Sequence, residues 1–348
     1  MSTSHSQTQF STQNKDALQA RVPRHPRPLG GDTARSTSGS SIFDLSGQVL
    51  NNSSVHQLTQ PRKPSWIRSQ IPSGKGYEAV RQNMAEHGLS TICQEASCPN
   101  IGDCWSRGTA TIMILGDVCT RSCGFCNVRT GKPEPPNYDE PENVGKSIAL
   151  MGLRHIVITC VDRDDLHDGG AAIWAKTIEE THRQAPETSV EVLVGDFGGD
   201  RMALQTVIDA QPEILAHNLE TVPRMHGTVR PQAKYERSMD VLMQIRDSGL
   251  VSKTGIMVGI GETDDEVYAL LEDVQKRAVT EIITIGQYLQ PTRNHLPVDR
   301  WVHPDKFVEY KRIGLDLGFR VVESGPLVRS SFHAEEQVRA LHRSKQSE

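Results

Sequence analysis

From residue 109 onward, short continuous apolar runs alternate with amphipathic stretches. The runs TATIMILG (109–116), RHIVITCV (154–161), SVEVLVGDF (189–197), EILAHNLE (213–220), KTGIMVGIG (253–261) and EIITIGQYL (281–289) have the length of strands buried on both faces. Between them NVGKSIALMGL (143–153), RMALQTVIDAQ (201–211), YERSMDVLMQIRDSG (235–249) and DDEVYALLEDVQKRA (264–278) carry apolar residues at helical spacing. Such alternation predicts βα units on a parallel sheet, and six units predict a barrel or partial barrel. A last strand, FRVVESGPL (319–327), follows the helical PDKFVEYKRIGLDLG (304–318). Upstream, KGYEAVRQNMAEHGL (75–89) reads as a helix with Tyr77, Val80 and Met84 on one face, and 61–74 reads as an ordered arm. Residues 1–60 are rich in Ser, Thr, Gln, Asn and Pro and are expected to be disordered. The expected division is thus a tail (1–60), an extension (61–108), the barrel (109–318) and a C-terminal segment (319–348).

Charge sharpens this division. Residues 1–75 hold 9 Lys or Arg against 3 Asp or Glu, whereas the remainder holds 29 against 40. An acidic body argues against a large nucleic-acid footprint. No stretch approaches the roughly 20 apolar residues of a membrane span, so neither nucleic acid nor membrane is an expected partner. The first residues lack the apolar core of a secretory signal. A cytoplasmic location is expected, with an organellar matrix as the alternative if the tail is a transit segment.

Seven cysteines, six of them within residues 93–126, speak for metal-bound thiolates rather than disulfides. Cys119-x3-Cys123-x2-Cys126 directly follows the first barrel strand. Three thiolates on one tight loop can hold three corners of a cubane iron–sulfur cluster and leave the fourth iron open. Zinc is the competing reading, but zinc usually takes four protein ligands in a structural site, and no fourth is evident. A second triplet, Cys93-x4-Cys98-x5-Cys104, lies just ahead of the barrel. Cys160, inside an apolar strand, reads as an inert buried thiol.

Together the two triplets, CX4CX5C then CX3CX2C, separated by WSRGTATIMILGDV, resemble the lipoyl synthases of the radical S-adenosylmethionine (SAM) superfamily. The likeness extends to CVDRDDLHDGGA, AHNLETVPR, GIMVGIGET, QYLQPT and GPLVRSSFHAEE, over residues 60 to 340. It implies a radical SAM partial (β/α)6 TIM barrel, an α/β fold with N-terminal and C-terminal extensions. It also implies two [4Fe-4S] clusters and SAM. Cys119, Cys123 and Cys126 would hold the SAM-cleaving cluster. Cys93, Cys98, Cys104 and a serine of the RSS segment, Ser331 rather than Ser330, would hold the other. An oxygen ligand is a poor match for soft iron–sulfur chemistry, so such a cluster should surrender that iron and its sulfide readily.

The reaction implied is insertion of two sulfurs at C6 and C8 of an octanoyl-lysine to form the lipoyl group. Implied partners are octanoylated lipoyl carrier domains (2-oxoacid dehydrogenase E2, glycine cleavage H protein), a ferredoxin or flavodoxin reductant, and iron–sulfur assembly factors. Another two-cluster radical SAM enzyme, such as a methylthiotransferase, is the alternative. The family usually has Tyr after the second serine, where this chain has Phe332.

Phe125, Asp162, Asn218 and Glu220 are the candidate SAM contacts. Phe125 precedes the last cysteine of the loop. The others sit just after predicted strands, where barrel enzymes keep their chemistry. Arg163 beside Asp162 reads either as a second contact or as part of a solvated charge run. GIMVGIGE (255–262) reads as an adenine-facing segment, a flexible turn, or both. Arg230 and Lys253 are possible polar anchors, and Arg329 could stabilise cluster sulfurs.

Overall fold

The computed structural model describes residues 62–69, 72–107 and 110–346, together with two short strands at Ile42–Phe43 and Val49–Leu50. Those two strands pair antiparallel, Ile42 opposite Leu50. They fall inside the stretch expected to be disordered. Each strand is a pair of adjacent apolar residues, a short local signal that bulk composition averages away. The rest of that expectation lies outside the described residues.

The barrel strands are β1 (Ser90–Thr91), β2 (Thr111–Ile114), β3 (His155–Cys160), β4 (Ser189–Leu193), β5 (Ile214–Ala216), β6 (Val251–Val258), β7 (Ile282–Gln287) and β8 (Val321–Gly325). They form one sheet in sequence order, β8 to β1. From β2 to β8 every pairing is parallel, and β1 alone is antiparallel to β2. Among the described residues no pairing joins β1 to β8, so the barrel is partial. β2 and β7 are buried along their whole length, as uninterrupted apolar runs require.

The helices connecting these strands pack on one another in order, Glu140–Met151 on Ala171–Gln184, then Arg201–Asp209, Tyr235–Ser248, Asp264–Ala278 and Pro304–Leu317. The helix Asp264–Ala278 opens on a capping box in which Thr263 and Glu266 satisfy each other's backbone N–H. The last strand expected at 319–327 appears as β8 and joins the sheet, pairing in parallel with β7 from Ile282↔Val321 to Gly286↔Gly325, so the sheet runs past 318. The segment that follows it turns back as 326–333 and ends in the helix Ala334–Gln346. Among the described residues no helix is long and apolar enough to cross a membrane.

Inside the barrel the strands also bury charge. Lys253 Nζ lies 2.6 Å from Glu191 Oε1, both side chains fully enclosed, and His155 Nε2 sits 3.4 Å from Glu191 Oε2. Lys253, expected as a possible polar anchor, is thus an internal ion pair between β6 and β4.

Candidate active site

Cysteines of both triplets open onto the barrel interior. A cavity of about 530 Å³ is lined by Cys93 and Cys98 from the extension and by Cys119, Cys123 and Cys126 from the loop after β2. A smaller adjoining space of about 50 Å³ is lined by Cys93, Cys98, Cys104, Arg329 and Ser331. Cys93 is buried and the other five are half-buried, because they face these spaces rather than packed core.

The loop carrying Cys119, Cys123 and Cys126 is pinned on every side. Thr120 N–H donates to Asp162 O, Gly124 N–H to Val229 O and Leu296 N–H to Gly124 O, at 2.9–3.0 Å. His295 Nε2 reaches Cys126 O at 2.9 Å. Two backbone N–H groups, of Arg121 and Asp162, point at Cys119 Sγ at 3.4 and 3.3 Å. Within the loop, Arg121 is nearly fully buried. Its guanidinium gathers carboxylates from two other strand ends: Asp164 and Asp196 at 2.7 Å, and Asp162 at 3.5 Å. Burial opposes that charge, but the three carboxylates outweigh it and hold Arg121 firmly cationic.

The other triplet is set by short turns. β1 leads into the one-turn helix Ile92–Glu95, capped by Thr91 Oγ1, and Cys104 lies on the helix Ile101–Ser106. Asn127, next to Cys126, donates from Nδ2 to Glu95 O at 3.1 Å and so ties the two cysteine regions together.

Burial pushes every one of these thiols up: Cys93 and Cys126 to about 11, Cys104 and Cys123 to about 12, Cys98 and Cys119 in the same direction. A coordinated thiol is deprotonated outright, so this burial does not bar the six sulfurs from binding a metal group as thiolates, and two backbone N–H groups already aim at one of them. A single zinc ion, with Zn–S bonds of about 2.3 Å, would draw its ligands tightly together. Among the described residues no three Cys, His, Asp or Glu side chains converge in that way.

The four candidate SAM contacts line the large cavity together. Glu220 adopts a left-handed backbone, φ +65°, a conformation that costs a non-glycine residue about 1–3 kcal/mol and clusters at functional sites. Its carboxyl is pushed up, chiefly by burial, against the pull of Arg230 and the Asn218 amide. Asp162 is raised too, by burial first and with Arg121 opposing. Asn218 donates to Glu220 Oε1 at 2.9 Å and to Ser330 Oγ at 2.7 Å. Arg230 is buried, donates to Asn218 O at 2.8 Å and faces the same cavity, so one of the two possible anchors does reach the site.

The remaining residues vary in how far they take part. Arg163 is neither a cavity contact nor solvated: it is 3 % exposed and donates to Leu115 O, Glu134 O and Asp165. Glu262 accepts from Gly259 N–H and Ile260 N–H within its own turn, while only 255–257 of that segment reach the cavity. His217, fully enclosed between Val194 O and Ser238 Oγ, is pushed down to about 4 by burial. Cys160 lines the cavity wall, and burial raises it strongly, in keeping with an inert thiol. Of the two serines, Ser331 borders the space shared by Cys93, Cys98 and Cys104, whereas Ser330 is turned to Asn218.

A partial parallel barrel with a three-cysteine loop after its first full strand defines a radical SAM protein. Residues 113–274 match the model of the radical SAM superfamily. That superfamily implies a [4Fe-4S] cluster and SAM. The barrel also resembles the FeFe-hydrogenase maturase HydG from Carboxydothermus hydrogenoformans at a TM-score of 0.50 and 14% identity, covering 76% of this chain and 68% of that one. This is a likeness of fold alone.

Sequence takes the assignment further. Residues 30–98 match the model of the N-terminal domain of lipoyl synthase. The chain is 52% identical to the lipoyl synthase of Rubrobacter xylanophilus over 81% of this chain and 88% of that protein. It is 50% identical to the mitochondrial lipoyl synthase of Nematostella vectensis over 82% and 99% respectively. The chain belongs to the lipoyl synthase family.

Proposed function

We propose that this protein inserts two sulfur atoms, at C6 and C8, into an octanoyl chain amide-linked to a lysine of a lipoyl carrier domain. The observation that carries the reading is the single cavity lined by Cys119, Cys123 and Cys126 together with Cys93 and Cys98, with Ser331 bordering the adjoining space that Cys104 shares with those two. Cys119, Cys123 and Cys126 hold one [4Fe-4S] cluster, and Cys93, Cys98, Cys104 and Ser331 hold the other. When bound, the first cluster and SAM supply a radical that takes hydrogen from unactivated carbon, and the second cluster supplies the sulfur.

The chain's own residues bind, orient and enclose. Asp162, Glu220 and Asn218 present polar groups for the amino and ribose groups of SAM, and Phe125 walls the cluster side. Arg230, which lines the same cavity and acts electrostatically on Cys123, offsets the negative charge of bound thiolates. Ile92, Ala96, Met257 and Leu289 give the remaining wall an apolar surface suited to an aliphatic chain. The cavity volume falls in the range of about 300–1,000 Å³ usual for small-molecule sites. The carrier is an E2 subunit of a 2-oxoacid dehydrogenase or a glycine cleavage H protein. A ferredoxin or flavodoxin supplies electrons and iron–sulfur assembly factors restore the spent cluster. We place the protein in the cytoplasm, or in an organellar matrix if the tail directs it there.

The test is anaerobic incubation with SAM, a strong reductant and an octanoyl-lysine peptide, read by product mass. Cys98→Ala is expected to keep SAM cleavage and lose sulfur insertion, whereas Cys123→Ala loses both. Equal loss in two folded variants would refute this division of labour. SAM cleavage by the unaltered protein without sulfurated product would favour a different two-cluster radical SAM activity.

A further inference from the structure

The turn after β8 carries Ser331 and is held from three directions. Asn100 Nδ2, between Cys98 and Cys104, donates to Leu327 O at 2.7 Å. His333 Nε2 meets Asp103 Oδ2 at 3.4 Å on the helix that carries Cys104. From the opposite side, Asn218 Nδ2 donates to Ser330 Oγ at 2.7 Å and to Glu220 Oε1 at 2.9 Å. The first two contacts tie the turn to its own triplet. The third ties it to the strand end that faces Cys123 and Cys126.

Chemistry fixes the orientation of that amide. An Asn amide nitrogen has two hydrogens, and both are used here. A flipped amide would set an oxygen against the Glu220 carboxylate and lose both donations. The Ser330 hydroxyl is therefore the acceptor.

The sheet makes room for the contact. Gly255 of β6 and Gly286 of β7 face the same side, because Gly255 pairs with Thr284 and Met257 with Gly286. A Cβ on Gly255 would stand 2.9 Å from Asn218 Oδ1 and 3.1 Å from Ser330 Oγ, and one on Gly286 would stand 2.1 Å from Val328 O. Two missing side chains let the turn lie directly on the strands.

We propose that Ser330 is not a cluster ligand but a latch: by accepting the Asn218 hydrogen bond it sets the position of its neighbour Ser331 toward Cys93, Cys98 and Cys104. Asn218 is correspondingly a positioning residue that registers the sulfur-donating side against the SAM side. The inference rests on the reading that Ser331 completes the auxiliary set. Consecutive residues share one backbone, so holding Ser330 limits where the Ser331 hydroxyl can sit. Outer-shell partners of this kind typically change affinity or activity by about 10–100-fold when removed.

The experiment uses the full chain, reconstituted anaerobically, with SAM, dithionite and an octanoyl-lysine peptide. It compares Ser330→Ala, Ser330→Thr and Ser331→Ala. Four readings are taken: 5′-deoxyadenosine, sulfurated peptide, iron per chain, and the electron paramagnetic resonance spectrum of the reduced protein. Ser330→Ala is expected to keep 5′-deoxyadenosine formation within about twofold while sulfurated peptide falls about tenfold or more. Its iron content should hold, with an altered auxiliary-cluster signal. Ser330→Thr, which keeps the acceptor, should restore both product and spectrum. Ser331→Ala should lose the iron of one cluster.

A wild-type ratio of product to 5′-deoxyadenosine and a wild-type spectrum in Ser330→Ala would overturn the latch. So would loss of one cluster's iron in Ser330→Ala but not in Ser331→Ala, which would make Ser330 the ligand. Parallel loss of both reactions in Ser330→Ala and Ser330→Thr would reduce Ser330 to a plain structural residue. If the unaltered protein gives 5′-deoxyadenosine but no sulfurated peptide, the proposed function has failed. The spectral comparison of Ser330→Ala with wild type then still decides the latch.

Discussion

Replacing Arg121 by Met removes one cation from among three carboxylates. The contacts differ in weight. Asp164 is 44 % exposed and can rehydrate, so its loss counts for at most about 1 kcal/mol. The Asp196 side chain has no exposure at all and would keep Arg237, at 3.3 Å, and the Gly198 N–H, at 3.0 Å. Stripping one partner from a buried pair costs about 3–5 kcal/mol, and the remaining Arg237 places the expected loss near the lower end, about 3 kcal/mol. Urea denaturation of the apoprotein checks the figure, and iron content after reconstitution checks the consequence, since Arg121 lies between Cys119 and Cys123. Arg121→Lys should recover less than half, because one ammonium cannot fork between carboxylates as a guanidinium does.

The pH dependence carries a sign. Burial alone would raise Asp196, but Arg121 and its hydrogen bond hold it below the usual carboxylate range, and Asp164 is lowered chiefly by its hydrogen bond to Arg121. A depressed folded pKa gives stability that is present above the unfolded value and lost as pH falls through the folded one. The gap between wild type and Arg121→Met should therefore narrow as pH drops below about 4. A cost under about 1 kcal/mol with normal iron loading would show that the charge cluster does not anchor the loop.

Two further outcomes follow from burial. Lys253→Met should destabilise the fold by about 3–5 kcal/mol, since it leaves the buried Glu191 carboxylate with His155 in place of the ammonium, and adding Glu191→Leu should recover part of it; a double-mutant cycle in denaturant measures both. Gly286→Ala forces a Cβ to within 2.1 Å of Val328 O, so about 1–3 kcal/mol of stability should be lost, with sulfur insertion falling more than SAM cleavage in the same preparation.

Much of the barrel was legible because continuous apolar runs and helical periodicity are local properties. The expected strand at 281–289 appears as Ile282–Gln287 and the expected helix at 264–278 as Asp264–Ala278. The cysteine triplets were legible because their spacing is itself the signal. Arg121 was not singled out, although it stands inside the first motif. Its importance comes from Asp162, Asp164 and Asp196, which two different strands bring to it. Arg163 misled for the opposite reason: a run of four charges looks like surface, yet two backbone carbonyls, one following β2 and one in the stretch beyond the cysteine loop, capture that guanidinium. The choice between Ser330 and Ser331 rested on resemblance. Their different surroundings depend on a hydrogen bond to a residue 112 positions away.

The arrangement of the two triplets follows from one short strand. Cys93 comes two residues after β1, whose Thr91 pairs antiparallel with Ile112 near the start of β2. Cys119 comes five residues after β2 ends at Ile114. The extension and the cysteine loop are therefore delivered to the two ends of the same four-residue strand, which spans about 13 Å. Reversing the chain direction once, at β1, lets the extension run back along the barrel edge instead of adding another crossover. The turn after β8 approaches from the opposite edge of the open sheet, because β8 and β1 are its two unpaired ends among the described residues. The open edges leave room for that turn, whose Ser331 borders the space lined by Cys93, Cys98 and Cys104.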